Sequence, residues 1–216
     1  MVKRIVILGA GGNAADIIDI IDAINSVRPV WDLAGMLDDA AADRSMVYGH
    51  PILGKIKETA HFAADTWFIN AIGSEASFTR REQIIAAAGL SASRFATLIH
   101  PGAGISKGAV IGAGSYACFG VCVGNGVRVG RHVHLGSGCV LGHDASVDDF
   151  SLIGPRAVLS GFVRIGPSAY VGAGASVKQK VAVGAGALVG MGAVVVGDVA
   201  SGSVVAGNPA RPLAAR

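Results

Sequence analysis

The sequence predicts two unlike parts in series: an α/β domain built on a small parallel sheet, a Rossmann-like half, over residues 1–101, then an all-β parallel β-helix with a C-terminal tail over residues 102–216. Three observations predict this. An aliphatic residue recurs every sixth position from 105 to 195, and Ala117 is the one position not occupied by Val, Ile or Leu. The next residue is usually glycine, as at Gly112, Gly124, Gly142 and Gly154. Ahead of this register, short apolar runs alternate with helical patterns, the sign of a parallel α/β sheet.

In the first domain, residues 3–8 form an apolar strand. The loop Gly9-Ala10-Gly11-Gly12-Asn13-Ala14 follows, then a helical pattern through Ile17, Ile18, Ile20, Ile21 and Ile24. Glycines let backbone approach a phosphate, and a helix N-terminus favours its charge. A second strand over 33–37 ends at Asp38-Asp39, residues 48–54 read as a loop, and 67–72 as a third strand. Residues 77–89 read as a helix stopped by Gly89, and 95–99 as a fourth strand. Asp38 lies further beyond Gly11 than the ~20 residues usual for a ribose-binding acid in a dinucleotide fold. Such a fold also needs two halves, and there is room for one. A nucleotide-linked ligand is therefore favoured over NAD or a purely structural loop.

In the second part, a six-residue period cannot hold one face of a 3.6-residue helix. In a strand, the aliphatic and the residue two before it point the same way, inward. Glycine after the aliphatic is expected to supply backbone freedom at a corner. Three hexads close one triangular coil, so residues 18 apart stack. The column through His143 then reads Lys107, Asn125, His143, Gly161, Gln179. A glycine above the histidine leaves a notch and a free N–H, and Asp144 stands ready to orient the imidazole. The bland alternative is a solvated corner histidine. His132 and His134 are read as surface residues.

Composition narrows the class. The hydrophobic share is 51%, yet the most apolar stretch, 181–197, keeps the glycine-rich hexad register and is read as coil, not membrane span. The formal charge of +3 is scattered, which excludes a nucleic-acid stripe. Cys118, Cys122 and Cys139 are odd in number without CxxC spacing, so reduced thiols are expected. The apolar run near the start is too short for a signal-peptide core, so the protein is expected in the cytoplasm.

The hexads resemble the left-handed β-helix of the hexapeptide-repeat acyltransferases. A G-A-G-G opening, Asp-Asp ending a second strand, His-Asp in the coil and a closing Gly207-Asn208-Pro209-Ala210 resemble, over nearly the whole chain, the bacterial nucleotide-sugar acetyltransferases of the bacillosamine, perosamine and sialic-acid pathways. That resemblance implies acetyl-CoA as co-substrate, no metal, and N-acetylation of a nucleotide-linked amino-dideoxy sugar. It implies His143 as general base with Asp144 as partner, and the Gly161 N–H on the acetyl carbonyl. Ala173, Gly190 and Gly192 would be further cofactor contacts in a groove between subunits of a homotrimer. Gly11, Gly12, Asn13, Asp38 and Asp39 would meet the nucleotide. Asn13 and Leu152 stand where family members carry histidines. Other readings are O-acetylation of a sialic-acid-type sugar, a non-enzymatic scaffold, or a zinc carbonic anhydrase using His132, His134 and His143. Column spacing argues against the last, because it separates His143 from the other two.

Overall fold

The computed structural model of the protein describes residues 2–213. The first domain carries a sheet in the order β3-β4-β2-β1-β5, with β1 (Lys3–Leu8), β2 (Trp31–Leu37), β3 (Met46–Val47), β4 (His50–Gly54) and β5 (Trp67–Asn70). All its pairings are parallel except the β3–β4 hairpin. Helix α1 (Gly12–Val27) follows the glycine loop and buries Ala14, Ile17, Ile18, Ile20 and Ile21.

Three expectations here need correction. The segment read as a loop over 48–54 contains β4, whose Ile52 pairs with Met36. The helix expected over 77–89 is a 3₁₀ turn, Phe78–Arg80, then a short α2 (Arg81–Ala86) capped at Ala87, ahead of Gly89, which stands in the left-handed region at φ +64°. The fourth strand does not join this sheet. Phe95 makes one isolated bridge with Phe68, while Leu98–Ile99 pairs with Tyr116–Ala117 of the coil.

From there the chain winds into three sheets of six, five and eight strands, parallel throughout except that Arg211–Pro212 runs antiparallel to Val204–Ala206 at the end of the largest. Each coil advances by 18 residues: Leu141 pairs with Leu159, and Leu159 with Val177. All three are at most 1% exposed, so the inward register is as expected. No helix among the described residues is long and apolar enough to cross a membrane.

The glycine after each aliphatic has a different cause from the one expected. Gly142 lies outside the left-handed region; a Cβ there would meet the Gly161 backbone nitrogen of the next coil at 2.7 Å. Space, not freedom, selects glycine. The strained residue falls two places later, at Gly126 (φ +72°), Asp144 (+58°), Phe162 (+60°) and Lys180 (+65°). That conformation costs a non-glycine about 1–2 kcal/mol. Beyond the first coil, where Ile105 and Ile111 are partly buried, a typical hexad buries an inward aliphatic, worth roughly 1.5–3 kcal/mol, plus the residue two before it, so burial wins.

The three faces of the coil differ. The face containing Tyr116, His134 and Leu152 is covered by the first domain, and all three are buried. A second presents Gly104, Cys122, Val140, Val158, Ser176 and Val194, without a charge. The third carries exposed Arg128 and Arg164.

Candidate active site

His143 sits at the corner where the chain leaves the uncharged face for the arginine-bearing one. Its Nδ1 lies 2.9 Å from Asp144 Oδ2. The left-handed backbone of Asp144 is fixed by its N–H, which donates to Asn125 O at 2.9 Å, one coil below. Phe162 meets the imidazole edge-on at 5.1 Å, and its N–H donates to His143 O. The side chains of His143 and Asp144 are 63% and 49% exposed, so the pair faces solvent.

The notch above His143 is not empty: the imidazole itself occupies it. A Cβ on Gly161 would lie 2.7 Å from His143 Nε2 and 2.9 Å from Cε1. Among the described residues the Gly161 N–H has no hydrogen-bond acceptor. A carboxylate against Nδ1 favours the tautomer with the proton there, leaving the Nε2 lone pair against Gly161. An imidazole nitrogen and a glycine whose N–H has no acceptor among the described residues thus pack together at one exposed corner.

The other predicted cofactor contacts stand elsewhere. Ala173, Gly190 and Gly192 occupy the corner between the covered and uncharged faces, across the uncharged face from His143. The Gly190 N–H donates to Val205 O and the Gly192 N–H to Ala173 O, both at 2.8 Å. Their amides are committed to the coil, whereas the Ala173 N–H has no acceptor among the described residues.

In the first domain, no atom approaches within 4 Å of a Cβ placed on Gly11 or Gly12, so the loop is open there at the start of α1. The polar residues around it are internally engaged. Asp38 Oδ2 accepts from Ala10 N at 2.7 Å, and its Oδ1 from Ala40 N and Ala41 N. Asn13 Nδ2 donates to Ala71 O and Gly73 O at 3.1 and 2.8 Å. Asp39 Oδ1 accepts from Ile56 N at 2.9 Å. Asp39 also lines a cavity of about 520 Å³ with Lys55, Lys57 and Gln83, residues the sequence did not single out. Two lysines spaced i, i+2 next to a polar turn were the available signal.

His132 and His134 are the clearest correction at residue level. Both are only 7% exposed, beneath the first domain. His132 stacks on Phe150 at 4.8 Å and meets Phe95 edge-on. Burial, then the Arg81 and Arg131 charges, pull its pKa down to about 4, with Asp149 opposing. Neither histidine shares a site with His143. Leu152, where some relatives would carry a histidine, is buried and packs on Gly73.

Known proteins place this geometry in context. The PglD N-terminal domain matches residues 4–86. The UDP-N-acetylbacillosamine N-acetyltransferase of Bacillus subtilis is 34% identical over 117 residues, 52% of this chain, and the match spans about half (50%) of that protein's length. The acetyltransferase domain of PglB from Neisseria gonorrhoeae, solved with acetyl coenzyme A, is 31% identical with a TM-score of 0.85, covering 99% of this chain and 100% of that one. PerB of Caulobacter crescentus, solved with CoA and GDP-perosamine, is 26% identical with a TM-score of 0.85, covering 99% of each chain.

Proposed function

The chain belongs to the nucleotide-sugar acetyltransferases that join a PglD-type first domain to a left-handed β-helix, and we propose that it moves the acetyl group of acetyl-CoA directly onto the amino group of a nucleotide-linked amino-dideoxy sugar. The observation that carries the site assignment is the packing of His143 Nε2 against Gly161, with Asp144 on Nδ1, at an exposed corner.

In this reading the sugar amine attacks the thioester carbonyl carbon. His143 Nε2 takes the proton the amine loses, and Asp144 stabilises the resulting imidazolium through Nδ1–H. The Gly161 N–H donates to the developing oxyanion. When the tetrahedral intermediate collapses, the C–S bond breaks and His143 returns the proton to the CoA thiolate. Residues 1–101 hold the nucleotide, with Gly11 and Gly12 offering open backbone to phosphate. Asp39, Lys55 and Lys57, which line the cavity of about 520 Å³, are assigned to that ligand's far end. Asp38 and Asn13 act by fixing the loop, because their hydrogen-bonding atoms already serve it.

The reading includes a homotrimer. His143 and Ala173 border one uncharged face, and a second copy against that face would bring one edge of each chain together as two walls of a cofactor groove. Among the coil's aromatics, Tyr116 and Phe150 are buried within their own chain, while Phe119 and Phe162 are 65% and 45% exposed and open to such a contact. The reading also puts the enzyme in the cytoplasm, where acetyl-CoA and a sugar nucleotide would be supplied.

The test is turnover. The purified protein, given acetyl-CoA and a panel of UDP-, GDP-, dTDP- and CMP-linked amino sugars, should release CoA with at least one and yield an N-acetylated product by mass spectrometry. CoA release with none of them, or acetylation only at a hydroxyl, would overturn the assignment.

A further inference from the structure

The covered face holds a polar cluster that the acetyl-transfer site does not use. Asp16 lies on α1, and Cys118 and His134 lie on adjacent coils: the Cys118 N–H donates to Leu135 O at 3.0 Å. One ligating atom from each of the three lies within 4.8 Å of the other two. Cys118 is 2% exposed and His134 7%, and His134 Nε2 is fully buried without a hydrogen-bond partner. A buried polar atom left unpaired costs about 1–3 kcal/mol, so it needs a reason. Tyr116 stacks on the His134 ring at 4.6 Å and 23°, which fixes the plane of the imidazole.

We propose that Asp16, Cys118 and His134 form a zinc site that staples α1 to the β-helix. Cys, His and carboxylate together suit Zn²⁺ better than Mg²⁺ or Ca²⁺, which take oxygen ligands. Tetrahedral zinc with bonds of about 2.0–2.3 Å places its ligands roughly 3.6 Å apart, so the cluster closes with side-chain shifts of about 1 Å. A cavity of about 140 Å³ lined by Asp16, Asp19, His100, Cys118 and Ser137 gives an entry path and room for a water as fourth ligand. Binding forms the Zn–S bond and expels the thiol proton to solvent, so the thiolate and carboxylate balance the two positive charges. The site is structural: it lies on a different face from His143 and anchors the helix whose start carries the glycine loop.

Cobalt is the probe. The tag-free full chain, stripped with chelator and kept reduced, is titrated with Co²⁺. Visible d–d bands and a near-ultraviolet sulfur-to-cobalt band should saturate at one equivalent per chain and vanish when Zn²⁺ is added. Cys118→Ser should abolish the sulfur band, and Cys122→Ser, at the exposed thiol, should leave it. Asp16→Asn, isosteric and half-exposed, should weaken Co²⁺ binding at least tenfold, so the assignment does not depend on Cys118→Ser folding. No sulfur band in the parent chain, a band that survives Cys118→Ser, or unchanged affinity in Asp16→Asn would each overturn the site.

Discussion

Gly161 carries more of the site than its lack of a side chain suggests. The imidazole of His143 fills the space its Cβ would need, at 2.7 Å from Nε2. Gly161→Ala therefore should force the ring away from the corner rather than merely crowd a ligand. Steady-state kinetics should show kcat falling about tenfold to a hundredfold, as a misplacement of about 1 Å does, while CoA affinity changes little. Wild-type kcat in Gly161→Ala would remove the glycine from the mechanism. His143, Asp144 and Gly161 were legible in the sequence because the 18-residue column is a local rule. Asn13 and Asp38 were legible as loop residues but not in their hydrogen bonds. Their partners, Ala71, Gly73 and Ala10, meet them only once the sheet forms.

At the level of elements, hexads could be read one by one, while the segment from 77 to 99 could not. Its shape depends on Arg81, which is 1% exposed and donates to the carbonyls of Ile72, Phe150, Ser151 and His132. Nothing in the local pattern signals an arginine that points inward to tie two domains. The same contact buries His132, and this gives the fold an acid-side weakness. An unfolded histidine binds its proton near pH 6.5, and folded His132 only near 4. The unfolded state thus takes up more protons in between. The stabilisation is fully present above about pH 6.5 and is lost as pH falls towards 4, a contribution on the order of 3 kcal/mol. Denaturant melts at pH 7.5 and 5 should show the wild-type chain losing more stability on acidification than His132→Phe does. Equal losses would mean His132 titrates as freely when folded as when unfolded.

For the whole molecule, the coil assigns one task to each face: one bears the first domain, one bears arginines, and one is left small and uncharged. The uncharged face, with Val140 and Val158 each 37% exposed, is the surface expected to meet other copies. Light scattering should report a trimer, and Val158→Arg should shift it to monomer with loss of turnover. A parent chain that is monomeric and fully active would rule out a shared groove. The division of faces was only partly legible, since the sequence shows which side chains point outward but not what covers them; hence His134 was read as surface. The central claim is that His143 is the base, and one comparison tests it most directly: kcat and CoA affinity of His143→Ala beside wild type across pH. General-base catalysis is worth about 10²–10⁴-fold. The account predicts a kcat loss in that range, CoA binding within about threefold, and a changed dependence of rate on pH. Wild-type kcat with an unchanged pH profile in His143→Ala would contradict it.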